Sequence, residues 1–150
     1  MRSIHGACRR VFAAFAFVVA CAIAAPVAAE DGSGPAAAPW QEVISGQIQA
    51  FRERDAPTAF DYAGTAFKIS FQDAEVFFEA IVQSGYEPIM ESHSHRFGSY
   101  EQIGSMVVLQ QVMLVGNDLQ YYGAIYQLIE EPDGWRVQGV HLYRQPGMAT

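Results

Sequence analysis

Residues 91 to 95 read ESHSH. If this segment is a strand, Glu91, His93 and His95 share one face, because strand side chains alternate. Two imidazoles and a carboxylate so placed could reach one divalent cation. The motif is unspecific, and metal sites generally draw a further ligand from another element. Among residues beyond 29, the one other histidine is His141. The plainer reading, a polar strand face turned to water, is the one the spacing favours. The two close histidines beside Glu91 would also gain charge below about pH 6.5.

Acid-base chemistry has few other candidates. Met106–Val115, Leu119–Ile129 and Gly134–Arg144 contain no aspartate or glutamate. A general base would have to be His141, or a helix acid such as Asp61 beside Tyr62. The bland alternatives are a surface or core histidine and a solvated helix face. Tyrosines are better represented. Tyr122 and Tyr126 fall on one face of a predicted strand and Tyr121 on the other, while Tyr62 lies on a predicted helix. Such side chains line small-molecule pockets, and they also make ordinary cross-strand pairs. Arg136 and Arg144 are expected to share a face of the last strand, where they could bind a carboxylate. Tyr62, Tyr122, Tyr126 and Arg144 are therefore the expected ligand-binding set.

These residues need elements to position them. In WQEVISGQIQAFRERD, Trp40, Val43, Ile44, Ile48 and Phe51 recur at helical spacing, with Pro39 in the first turn and Asp55 before Pro57 at the end. APTAFDYAG reads as a short second helix stopped at Gly64, and TAFKISF is ambiguous between an extended piece and a helical turn. DAEVFFEAIVQSG is a third helix, capped by Asp73 or Ser70, with Phe77, Phe78, Ile81 and Val82 on its apolar face and Gly85 at its end. Four strand-like runs follow, roughly Glu91–Gln102, Met106–Val115, Leu119–Glu130 and Trp135–Arg144. Gly104-Ser105, Gly116–Asp118 and Pro132–Gly134 separate them as hairpin turns. Helices first and a meander second predict an α+β domain with helices on one face of the sheet. The strand Met106–Val115 is apolar on both faces, with Val108, Val112 and Leu114 on one and Val107, Leu109, Met113 and Val115 on the other. Its second face needs cover, and a homodimer formed through the sheet would supply it.

The beginning of the chain reads differently. Arg2, Arg9 and Arg10 precede the apolar run VFAAFAFVVACAIAA, and the small-residue segment VAA ends at Ala29. That order is the pattern of a secretory signal peptide, expected over residues 1–29, with residues 30–39 as a small-residue linker and 40–147 as one domain. A fifteen-residue run is short for a membrane span. The VVAC at Val18–Cys21 resembles a lipobox, an alternative processing site at Cys21. Cleavage after Ala29 leaves no membrane span and no cysteine, since Cys8 and Cys21 both precede it. It also leaves sixteen acidic against six basic residues, a net charge of −10. Such a domain repels nucleic acids and anionic membrane surfaces.

The segments ISGQIQAFRERDAPTAFDYA, GYEPIM, RFG and DGWRVQGVHLYR resemble, in that order, a bacterial domain-of-unknown-function family numbered 4864. The resemblance covers Val43 to Gly147. The helices followed by a meander ending YQLIEEPDGWRVQGVHLYR resemble the wider nuclear transport factor 2-like (cystatin-like) superfamily. That resemblance implies three N-terminal helices packed on a curved four-stranded antiparallel sheet, forming a cone with a pocket, in a periplasmic or secreted protein. It implies no activity and no cofactor. Enzymes of that fold, such as ketosteroid isomerases and scytalone dehydratases, place acids, tyrosines or histidines inside the cone. The reading that follows is non-catalytic binding of a small molecule or a protein partner. A small isomerase, dehydratase or hydrolase using His141 with a tyrosine or Asp61 is the competing class. Metal binding through Glu91, His93 and His95 is the third.

Overall fold

The computed structural model describes residues 36–146. The expected signal segment, Cys21 and most of the linker lie outside the described residues. Helix α1 spans Pro39–Glu53. Pro39 opens it at a position where a missing N–H is harmless, and Gln41 Oε1 accepts from the Ala38 N–H at 3.1 Å. Ile44, Ile48 and Phe51 are buried, as the stripe predicts. Arg54, in the left-handed region at φ 58°, turns the chain out of the helix. Asp55 then caps α2 (Ala56–Asp61) by accepting from Thr58 N at 3.1 Å.

Tyr62–Gly64 runs beside the last strand. Val137 N donates to Tyr62 O at 2.9 Å and Gly64 N donates to Val137 O at 2.8 Å, which makes a parallel bridge at Ala63. The ambiguous TAFKISF resolves as helix α3 (Thr65–Ser70), none of whose residues is buried. Helix α4 (Ala74–Gln83) starts from Asp73, whose Oδ1 accepts from Val76 N at 2.9 Å, and buries Phe77 and Phe78. Gly85, at φ 87°, supplies the left-handed turn after it. A four-residue helix α5 (Glu87–Met90) follows. The three expected helices are thus five among the described residues.

Four antiparallel strands lie in sequence order: β1 (Ser94–Ile103), β2 (Val107–Val115), β3 (Tyr121–Glu131) and β4 (Gly134–Arg144). The helices cover one face. Along β2, Val108, Gln110, Val112 and Leu114 are fully buried, whereas Val107, Leu109, Gln111, Met113 and Val115 on the opposite face are half-buried. Each fully buried aliphatic side chain contributes about 1.5–3 kcal/mol. Gln110 is the polar exception. It accepts from Trp40 Nε1 and Gln41 Nε2, both at 3.1 Å, and donates to Gly98 O at 3.0 Å. One amide therefore ties the start of α1 to the point where the β1–β2 register shifts, between Phe97 and Tyr100.

A second register shift, between Gln127 and Leu128, carries the extra residue on β4. Arg136 pairs with Ile129 and Arg144 with Tyr122, so the extra residue puts the two arginines on opposite faces. The expectation that they share a face is overturned.

Candidate functional site

The helices and β4 line a partly open cavity of about 300 Å³. Phe51 on α1, Phe67 on α3, Phe71 just after it and Phe77 on α4 form its aromatic wall, and Tyr86, Ile89 and Val140 close the other side. Phe77 lies at the centre of the aromatic group. Its ring centroid is 5.1 Å from Phe60, 5.6 Å from Phe71, 5.7 Å from Phe67 and 6.4 Å from Phe51. Distances of this order suit tilted and edge-to-face packing. The polar tips on the wall turn into backbone: Gln47 Nε2 donates to Ala59 O at 3.1 Å and Tyr86 Oη donates to Val140 O at 2.7 Å. Among the described residues no Asp, Glu, Lys, Arg or His lines the cavity. Helix α3, which carries Phe67, is held by its polar residues. Thr65 donates from N and Oγ1 to the Glu131 carboxylate at 2.8 and 2.9 Å, and Lys68 Nζ donates to Asp61 O at 3.1 Å.

The opposite flank of α1 is polar. Ser45 Oγ lies 3.0 Å from His95 Nε2, and Arg52 Nη2 lies 3.3 Å from His95 Nδ1. Arg52 Nε and Nη2 also donate to Ser92 Oγ at 3.3 and 3.0 Å, and Ser92 Oγ donates to Ile89 O at 2.7 Å. A guanidinium can only donate. His95 Nδ1 must therefore accept, which puts the ring proton on Nε2 and makes Nε2–H the donor to Ser45 Oγ. Burial, and then the adjacent Arg52 charge, hold the His95 pKa below its ordinary value. In this tautomer His95 cannot take a proton from Ser45, so the pair is not an activated nucleophile.

The residues singled out from sequence scatter. Glu91 ends α5 and His93 sits in a bend, both exposed, and only His95 enters β1, half-buried. The strand begins three residues later than expected, because Glu91 caps α5 and the chain bends at His93 before β1 starts at Ser94, so Glu91, His93 and His95 do not form one strand face. No group of three metal-ligating side chains exists among the described residues. Asp61 and His141 are both exposed, and His141 stacks beside Tyr143 with centroids 6.2 Å apart. Neither lines the cavity. Tyr62 packs over Gly46 on α1, where a larger residue would strike its ring. Tyr122 Oη donates to Asp118 at 3.1 Å and Arg144 Nη2 donates to Gln120 at 2.9 Å, at one end of the sheet. Tyr126 is fully buried, and its hydroxyl has no partner among the described residues. Burial raises its pKa. Tyr122 and Arg144 are thus neighbours across β3 and β4, Tyr62 and Tyr126 lie elsewhere, and none of the four lines the cavity. The residues that do line it, Phe51, Phe67, Phe71 and Phe77, read in sequence as core. The signal available was their excess: Phe67 and Phe71 extend the aromatic set beyond the stripes of α1 and α4.

A family model described as "Domain of unknown function (DUF4864)" matches residues 34–150, and the chain belongs to that family. No curated protein matches the chain. Among solved structures, the chain is similar to one titled "Crystal structure of known function protein from Kribbella flavida DSM 17836". The identity is 13%, covering 69% of this chain and 84% of that one, with a TM-score of 0.43.

Proposed function

We propose that this domain binds a small neutral apolar molecule, without catalysis, in the cavity between α1, α3, α4 and β4. One observation carries the reading: an aromatic-walled space of about 300 Å³ with no charged side chain on its lining. Pockets of this kind bind by apolar burial, and an ionised ligand would lose hydration there without a counter-charge. Asp61 and His141, the acid-base candidates, lie on the surface away from this space. Helices followed by a four-stranded meander, with the long α1 against the sheet, support placement in the nuclear transport factor 2-like superfamily with its cone-shaped pocket. The basic, apolar and small-residue order of residues 1–29 supports export to the periplasm or beyond. The half-buried apolar row on β2, Val107, Leu109, Met113 and Val115, supports a homodimer through the open sheet face.

The cavity reading is tested by titrating the protein with phenylnaphthylamine, a neutral fluorophore that brightens in apolar sites. Saturable brightening is expected in the wild type, and its loss in Ala80→Phe, which fills the space from α4. Equal brightening in both proteins, or none in the wild type, would sink the proposal.

A further inference from the structure

Arg52 stands apart from the other cations of this chain. Among the described residues no acidic side chain pairs with it. The ion pair among the described residues is Arg136–Asp133. Arg54 and Arg96 are exposed, whereas Arg52 is half-buried at the α1–β1 seam. Burying a cation without a counter-ion is unfavourable unless hydrogen bonds or a bound anion compensate. Arg52 has neutral acceptors only. Its Nε and Nη2 are used by Ser92 and His95. The two N–H groups of Nη1 have no acceptor among these contacts.

The seam offers a second donor. Because Nε2–H of His95 donates to Ser45 Oγ, the Ser45 hydroxyl proton points away from the ring. Arg52 and Ser45 lie two turns apart on the same side of α1, each held on one nitrogen of the same imidazole. His95 and Ser45 are both half-exposed, so the seam opens to solvent.

We infer that this seam, built on Arg52 with Ser45, Ser92 and His95, is a binding site for a small monoanionic carboxylate. The charge count selects the class. One guanidinium is the only full positive charge in the group, because His95 is neutral and its contact with Arg52 requires it to stay so. A single negative charge balances it. A phosphate dianion would bring a surplus charge into a chain already at −7. The carboxylate takes its charge-assisted bond from Nη1 of Arg52 and a neutral one from the Ser45 hydroxyl. This site is separate from the uncharged cavity, so either reading survives failure of the other.

The test uses the full chain with its histidines labelled with nitrogen-15, titrated with sodium acetate at constant ionic strength. Chloride serves as the reference, and His93 and His141 act as internal controls. A saturable shift of the His95 ring resonances alone is expected. It should weaken roughly tenfold to a hundredfold in Arg52→Gln, the effect of one charged hydrogen bond. Ser45→Ala leaves the Arg52–Ser92 contacts in place and should weaken acetate several-fold. It keeps the question open to measurement if Arg52→Gln does not fold. Arg144→Gln should change nothing. No shift of His95, or a shift that survives Ser45→Ala and Arg52→Gln undiminished, would overturn the site. Phosphate binding more tightly than acetate would overturn its assignment to carboxylates.

Discussion

The two flanks of α1 show how one helix serves two chemistries. On the flank facing α4 and β4, Phe51 and Gln47 meet an aromatic wall, and every polar tip is turned into backbone. On the flank facing β1, Ser45 and Arg52 meet an imidazole and a hydroxyl, and hydrogen bonds replace packing. The helical period alone separates them: Phe51 and Arg52 are neighbours in sequence, and one residue turns the side chain by about 100°. The apolar flank should therefore respond to changes of volume, and the polar flank to changes of hydrogen bonding and of pH.

The largest effect should come from the apolar flank. Phe77→Ala removes the ring that four others pack against, and a loss of about 3–5 kcal/mol is expected in urea unfolding. A loss below that of any polar-flank variant would dissolve the contrast. On the polar flank, Arg52→Gln breaks the contacts to Ser92 and His95 and should lower stability by about 1–3 kcal/mol. Beneath both flanks, Tyr126→Phe deletes a buried hydroxyl with no partner among the described residues. Stability should rise by about 1 kcal/mol, and a fall would mean that the hydroxyl has a partner in solution.

The pH response belongs to the polar flank. The folded pKa of His95 lies below the ordinary histidine value, so the unfolded chain binds a proton more readily. Its contribution to stability is present above about pH 6.5 and is lost as pH falls through the depressed folded value. Hydrogen bonds from Thr58 lower Asp55 in the same sense, but in the carboxylate range near pH 4 and below. Urea midpoints measured from pH 8 to 4.5 should decline in the wild type and flatten in His95→Gln. An unchanged slope in that variant would remove His95 as the cause. The smallest effects are expected at Glu91→Ala and His93→Ala. Both residues are exposed, and each change should stay within about 0.5 kcal/mol.

Much of this architecture was legible in the residues. The stripe of Ile44, Ile48 and Phe51 gave α1, and the apolar run Met106–Val115 gave β2. Local ambiguity hid other parts. In TAFKISF, Phe67, Ile69 and Phe71 alternate like a strand, while Phe67 and Phe71 also sit one helical turn apart. A contact with Glu131, sixty-six residues away, helps fix the helical answer. The turn α5, opened at Glu87-Pro88, ends in Glu91 as its cap, and that left Glu91 and His93 outside β1, which starts at Ser94 instead of Glu91. The cavity was invisible because its wall comes from several separate segments, each of which looks like ordinary core. The His95 cluster needed a pairing of α1 with β1 across fifty residues. Ser45 and Arg52, seven apart on one helix side, were the only local trace of it.

The two margins of the sheet are finished differently, and this bears on self-association. The outer edge of β4 is occupied by Tyr62–Gly64 through two backbone bonds. No described segment pairs with the outer edge of β1. An open edge is a template on which another chain can add a strand. Here the template is interrupted: the ladder shifts between Phe97 and Tyr100, and Arg96 and Glu101 stand on either side of the shift. A foreign strand could follow β1 only up to Gly98–Ser99 before losing register. The same irregularity that Gln110 anchors from inside thus guards the outside against fibril growth.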